Sequence, residues 1–287
     1  MFQISKSQAP RAISGQETWF GQRGRAGTLG GMAISVSDLE EVAALGWRGT
    51  EEEPLGGWRL RAAGGFTGRA NSALAVGDPG LPLPAAAAAV HRWYTARGLP
   101  TMISVPYPCG RPADTGVDRF LAGAGWTVRS GAATVMTATA ATIAGIAAPD
   151  RARVDIDAEP DDAWLARYHY RGQPDLPPAA HQVLQSAPWQ AFGSIREDGL
   201  TLAIGRVAVA RGWAGLTAIE VDPAHRRRGL AQALTAALAA QATTRGAHHL
   251  YLQVEDGNAA ARALYHRLGF TDHHGYHYRV APPGPIG

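Results

Sequence analysis

The chain has 287 residues and a formal net charge of +3, which is length for two ordinary domains and too little excess charge for a dedicated nucleic-acid binder. A single cysteine, Cys109, excludes an internal disulfide and any multi-cysteine zinc site, and fits a reducing, cytoplasmic setting. No apolar run approaches the roughly 18 residues that span a bilayer and no signal-peptide core follows Met1, so a soluble protein with no membrane partner is expected.

Residues 1–34 are polar and glycine-rich without periodicity, and read as a poorly ordered N-terminal extension in which Met32 offers a second start. A short helix is expected over Val36 to Gly46, then strands over Gly57 to Ala63 and Thr67 to Val76. Pro84 to Gly98 reads as a helix with proline at its start. Thr101 to Val105 reads as a strand, Val117 to Gly125 as a helix and Thr127 to Thr137 as a long strand. Trp58, Arg59, Arg61, Arg69, Asn71 and Ser72 cluster polar and aromatic groups on adjacent strands, which suits either a pocket wall or plain strand pairing with a turn.

The run Ile219 to Ala231 (IEVDPAHRRRGLA) reads as a strand that stops at Asp222-Pro223, turns, and feeds a helix beginning near Leu230. Arg226, Gly229 and Ala231 satisfy the spacing R-x-x-G-x-A. Small residues let successive backbone N–H groups approach a phosphate, the helix aims its positive end at the same spot, and the arginines add charge and forked donors. The basic turn also suits solvated surface, and neither established nucleotide-loop spacing is present. Leu230 to Thr244 follows as an alanine- and leucine-rich helix ended by Arg245-Gly246, then His249 to Glu255 as an alternating strand. Asn258 caps a helix over Ala259 to Leu268, closed by Gly269, with Ala261, Leu264, Tyr265 and Leu268 on one face; a last strand lies around His277 to Val280. His248, His249, His273, His274 and His277 lack a carboxylate-backed helical pair and read as solvated surface; no metal is expected.

Strand, R-x-x-G-x-A, helix, strand and Asn258-x-x-Ala261-x-x-Leu264-Tyr265-x-x-Leu268-Gly269-Phe270 resembles the signature of the GNAT superfamily of acyl-CoA-dependent N-acyltransferases over roughly residues 150–282. The order of elements in residues 35–145 repeats that of the C-terminal half. Its G-W-x-L-R and T-x-R-A-N-S motifs resemble the N-terminal half of a group of two-domain bacterial GNAT proteins. The resemblance implies an α/β (α+β) fold of tandem GNAT-like modules, each a mixed, mostly antiparallel central sheet flanked by helices. The first module would be degenerate. Its would-be phosphate turn, Gly77 to Pro84, lacks the arginine spacing, and its prolines remove N–H donors.

The same resemblance assigns roles. Backbone N–H groups of Arg226, Arg227, Arg228, Gly229, Leu230 and Ala231 would hold the pyrophosphate of acetyl-CoA, the co-substrate. Ile219 to Val221 would pair with its pantetheine arm as an added strand, with the Val221 N–H on the acetyl carbonyl. Asn258 would contact the arm from the opposite side, with Ala261 on the same helix also lining the cofactor site. Tyr265 would protonate the departing thiolate, a phenol of pKa about 10 serving a thiol of about 8.5. An incoming ammonium must lose a proton; Glu220 and Glu255 are the candidate bases by position, with a water-relayed base or solvated strand ends as the alternatives. Strand alternation forbids Glu220 and Val221 from facing the same side. Trp164 to Ser186, including Tyr168, His169, Tyr170 and Arg171, is the expected acceptor segment, and an arginine lining there would favour an anionic small-molecule amine. The expected function is acetyl transfer to an amine by direct attack. A non-catalytic acyl-CoA sensor, or acetylation of protein or peptide amines, stays open, as does a homodimer.

Overall fold

The structure, a computed structural model, describes residues 34–110, 115–147, 152–169 and 176–284. The expectation for residues 1–33 lies outside the described residues. The unit from Ser35 onward is compact. Among the described residues twelve strands join one sheet, eleven of them along a single hydrogen-bonded path and one paired beside it.

The chain enters through α1 (Val36–Gly46), whose cap Ser35 accepts the Asp38 N–H at 3.1 Å, with Asp38 favourably placed in the first turn. A hairpin of β1 (Glu51–Leu55) and β2 (Trp58–Ala62) forms one end of the sheet. Three glutamates and Pro54 on β1 protect that open edge. The expected strand over Thr67 to Val76 shrinks to β3 (Ala73–Leu74). The Asn71 side chain accepts from the Ala63 and Gly65 N–H groups at 2.8 and 2.9 Å and donates to the Phe66 carbonyl at 2.7 Å. These bonds hold residues 63–71 as a compact loop in place of a ladder.

Next come α2 (Leu83–Thr95), β4 (Met102–Pro108) and α3 (Gly116–Gly123). The expected long strand breaks at Gly131, φ +92°, into β5 (Thr127–Val128) and β6 (Ala133–Thr139). After α4 (Ala140–Ala144), the acidic edge strand β7 (Asp155–Asp157), α5 (Asp162–Arg167) and α6 (Ala179–Leu184) lead into the long meander β8 (Trp189–Glu197), β9 (Leu200–Ala210) and β10 (Trp213–Val221). Helix α7 (Leu230–Thr243), β11 (His249–Glu255), α8 (Ala259–Leu268) and β12 (Thr271–Val280) complete the chain.

Both faces of β9 are covered, so Leu202 to Ala210 is buried throughout rather than alternating. One face packs on α7 through Leu234 and Leu238, within a core that also takes in Ile143 of α4 and Leu268 of α8. The other packs beneath α5 and α6 through Trp164, Val183 and Phe192. The two halves exchange their last strands: β6 pairs with β11, and β12 pairs with both β4 and β6.

That exchange corrects the reading of the histidine tail. β12 runs inside the sheet, so His274 and His277 are buried, not solvated. Each is matched by a carboxylate: His274 Nε2 to Glu40 at 2.8 Å, and His277 Nε2 to Asp118 at 2.6 Å. Arg279 adds a bidentate bond to Asp118, which pins α3 to β12. Among the described residues no group of three or more His, Cys, Asp or Glu converges as metal ligands, and no helix is long and apolar enough to cross a membrane.

Candidate active site

The sheet splits at its centre. β10 and β11 pair in parallel from Trp213↔His249 to Leu216↔Leu252 and no further. Beyond that point β10 stays with β9 and β11 stays with β6. The cause is a bulge in β10: Ala218 adopts φ +54° and the register against β9 slips between Thr217 and Glu220. A cleft of about 420 Å³ occupies the opening. Its floor and sides include Thr217 to Ile219 of β10, Leu252 to Glu255 of β11, and Asn258, Ala261 and Tyr265 of α8.

The bulge also resets which backbone groups are free. Asp222 N–H donates to the Leu202 carbonyl at 2.8 Å, so Asp222 and Leu202 form a hydrogen-bonded pair. Val221, opposite Ala203, then falls on a non-bonded pair, with its N–H turned away from β9 toward the opened side. Glu220 and Val221 lie on opposite faces. Ile219 and Val221 pack toward α7, while the Glu220 carboxylate accepts both the backbone N–H (3.1 Å) and Nδ1 (2.9 Å) of His169.

Past Val221 the chain makes a tight turn. Asp222 Oδ1 accepts from the Ala224 N–H at 2.8 Å, and Arg167 reaches its other oxygen at 2.6 Å. The hydrogen bonds from His225 and Ala224 hold its carboxyl below the usual range. Arg227 and Gly229 both adopt positive φ, 65° and 78°. For Arg227 that conformation is unusual and for Gly229 it is natural. The first bond inside α7 runs from the Ala233 N–H to the Gly229 carbonyl at 3.0 Å. The N–H groups of Leu230, Ala231 and Gln232 therefore have no acceptor within the helix and sit at its positive end. Arg226 and Arg227 are exposed, and Arg228 is paired with Glu197 at 2.8 Å.

Tyr265 is 8% exposed, lines the cleft, and packs edge-on against Phe270 at 5.6 Å between ring centres. Burial pushes its hydroxyl up to about 12, above the value of 10 used in the sequence argument. Asn258 caps α8 by accepting the Ala261 N–H at 3.1 Å while lining the cleft. Of the residues singled out from the sequence, Ile219, Glu255, Asn258, Ala261 and Tyr265 line the cleft. Glu220, Val221 and the turn from Arg226 to Ala231 are not among its lining residues; they follow Ile219 directly in the chain.

On the acceptor side Tyr168 and His169 line the cleft, and Tyr170 and Arg171 lie outside the described residues. Of the six N-terminal residues considered as a pocket wall, only Arg69 lines it. Trp58 is core, Arg59 pairs with Glu52 at 3.2 Å, and Arg61 is buried with Nε on the Ser72 carbonyl at 3.2 Å. Asn71 organises its own loop. Sequence reading missed Arg129, Tyr276 and Tyr278, which join the cleft only because β12, from near the C-terminus, pairs with β5 from the middle of the chain. Arg206, fully buried below the bulge, donates to the Leu184 and Gly46 carbonyls at 2.6 and 3.1 Å. Burial lowers it to about 10, so it stays charged at neutral pH.

Residues 34–279 match the family described as probable histone acetyltransferase Rv0428c C-terminal. The Mycobacterium tuberculosis protein named probable histone acetyltransferase Rv0428c is 32% identical over 267 residues, covering 88% of this chain and 76% of that one. A GCN5-related N-acetyltransferase from Kribbella flavida superposes with a TM-score of 0.66 at 18% identity, over 88% of this chain and 98% of that one. A tandem GNAT protein from the clavulanic acid biosynthesis pathway gives 0.58 at 15% identity, over 71% and 70% of the two chains.

Proposed function

Because the chain belongs to the GNAT superfamily of N-acetyltransferases, we propose that it transfers an acetyl group from acetyl-CoA to the amine of a small acceptor by direct attack within the β10/β11 cleft. The observation that carries this reading is the split of the sheet: β10 parts from β11 beyond Leu216, the opened cleft is lined by Ile219 and by the buried Tyr265, and the strand leads through a tight turn into the α7 N-terminus.

The residues present fit the co-substrate. The two positive-φ positions and the free N–H groups of Leu230, Ala231 and Gln232 suit a pyrophosphate, with Arg226 and Arg227 adding charge. Ile219 to Val221 offers an edge for the amide-bearing arm, with Asn258 and Ala261 across from it. Bound acetyl-CoA supplies the activated thioester carbonyl. The Val221 N–H stabilises charge on the carbonyl oxygen, and Tyr265 keeps its proton through neutral pH for the departing sulfur. The desolvation that raises the phenol raises a thiol in the same place, so the two stay matched for proton transfer.

The base is His169 oriented by Glu220. A carboxylate accepts only, so Nδ1 of His169 carries the hydrogen and Nε2 is left to take a proton from the amine. Glu220 thus acts through the imidazole, and Glu255, exposed on the cleft wall, serves the incoming ammonium. Residues 35–145 act as a degenerate module that walls the acceptor side. Their own phosphate turn is closed: Gly57 N–H donates to Asp78 O at 2.6 Å, and an added carbon at Gly56 would meet the Pro79 backbone at 2.3 Å.

The test is an acetylation screen of amines, following thiol release and identifying the product by mass spectrometry. N-acetylation of at least one small amine is expected. Acetyl-CoA binding with no acceptor turned over would favour a sensor. The name of the M. tuberculosis relative makes a lysine-rich peptide the second acceptor class to include.

A further inference from the structure

Two arginines in the cleft have no task in acetyl transfer itself, and both come from the N-terminal half: Arg69 and Arg129. Arg69 lies over the Trp47 ring at 4.8 Å and donates to Gln253 Oε1 on β11. Arg129 is anchored by its backbone N–H on the Tyr278 carbonyl at 2.9 Å and lies over the Tyr278 ring at 5.0 Å, with Nη1 3.3 Å from Met102 Sδ. The two converge. A carbon added at Gly68 would stand 2.9 Å from Arg129 Nη1 and 3.0 Å from Tyr278 Cζ, so Arg129 packs on the residue next to Arg69.

Among the described residues neither has a carboxylate partner, whereas Arg59, Arg167, Arg228 and Arg279 each have one. Both half-buried guanidinium groups line one cleft and both act on the Tyr278 hydroxyl, and a forked anion bound there would gain charge-assisted hydrogen bonds from them. Glu255, in the same cleft, suits the cationic end of a zwitterion. A second cavity of about 700 Å³ shares Thr67, Gly68 and Arg129 with the cleft and adds Phe66, Leu99, Met102 and Val280, which gives room for an apolar remainder.

We propose that Arg69 and Arg129 form an anion clamp that selects acceptor amines bearing a carboxylate or phosphate. The proposal rests on the acetyl-transfer reading above, since that reading puts the reacting amine in the same cleft. It makes the N-terminal half the source of acceptor specificity and the C-terminal half the source of chemistry. It also disfavours a lysine-rich peptide as acceptor, because its surplus cations meet the clamp.

Two matched pairs test it: phenylalanine against phenethylamine, and O-phosphoethanolamine against ethanolamine. Binding is measured by calorimetry on protein saturated with CoA, and turnover by thiol release from acetyl-CoA. At least one anionic member is expected to bind about tenfold or more tightly than its neutral partner, as a hydrogen bond to a charged group supports. Arg129→Gln should bring the two members of that pair together, and Arg129→Lys should keep part of the gap because it keeps charge without the fork. The pair that responds tells carboxylate from phosphate. Equal or better binding of both neutral amines, no binding of any probe, or a gap that survives Arg129→Gln would each overturn the clamp. Failure of CoA itself to bind would overturn the reading beneath it instead.

Discussion

Replacing Tyr265 by phenylalanine separates chemistry from packing. The ring stays edge-on to Phe270, and the hydroxyl has no hydrogen bond within the described protein, so nothing buried is left unpaired by its removal. Stability should therefore change by no more than about 0.5 kcal/mol, the range for substitutions that break no named interaction. Acetyl-CoA affinity should also hold, because the pyrophosphate turn and the β10 edge are untouched. Turnover should fall: a positioned general acid is worth about 10²–10⁴-fold, or about 2.7–5.4 kcal/mol at 1.36 kcal/mol per decade. The assay is thiol release at saturating acetyl-CoA, with thermal denaturation and calorimetry in parallel. A fall of less than threefold in kcat, or a matching loss of acetyl-CoA affinity, would refute the acid role. The hydroxyl pushed up to about 12 also predicts that it keeps its proton through pH 10, so no alkaline limb in kcat belongs to Tyr265 below that pH.

Further outcomes follow from other contacts. His169→Ala should lower kcat/KM about 100-fold near neutrality and recover as pH rises and the free amine accumulates; Glu220→Gln should follow it with a smaller loss, and a pH-independent loss would argue against a base. Gly215→Ala drives a carbon to 2.3 Å from the Tyr251 hydroxyl where β10 and β11 still pair; it should cost about 1–3 kcal/mol, read as a lowered Tm, and an unchanged Tm would contradict the packing. For Asp118, burial pushes the carboxyl up but the Arg279 and His277 hydrogen bonds outweigh it and hold the pKa below normal. A depressed folded pKa contributes stability above the unfolded value of about 3.9, which is lost as pH falls through the folded value. Asp118→Asn should therefore cost about 3 kcal/mol at pH 7, and the Tm gap to wild type should close below pH 4; a constant gap would refute the linkage.

Local chemistry made much of the C-terminal half readable. Asn258 and Gly269 bound α8 as capping rules require, and Gly229 starts α7 in the left-handed conformation that a phosphate turn needs. Pairing partners are another matter, because they are set by residues far apart in sequence. The exchange of β6 and β12 between halves leaves no local mark, which is why His274 and His277 looked like surface and Arg129 and Tyr278 drew no notice. The loop at Thr67 to Ser72 misled for a different reason. Its alternation resembles a strand, but the Asn71 side chain satisfies the backbone groups that a ladder would have used. Glu220 was found as a residue, while its partnership with His169 required the fold.

The most direct test of the central claim, that the split sheet and the turn before α7 hold acetyl-CoA, is isothermal titration of acetyl-CoA into the wild type and into an Arg226→Glu/Gly229→Glu variant. Micromolar binding by the wild type, abolished in a variant that remains folded, is the predicted result. No binding by the wild type, or equal binding by the folded variant, would contradict it.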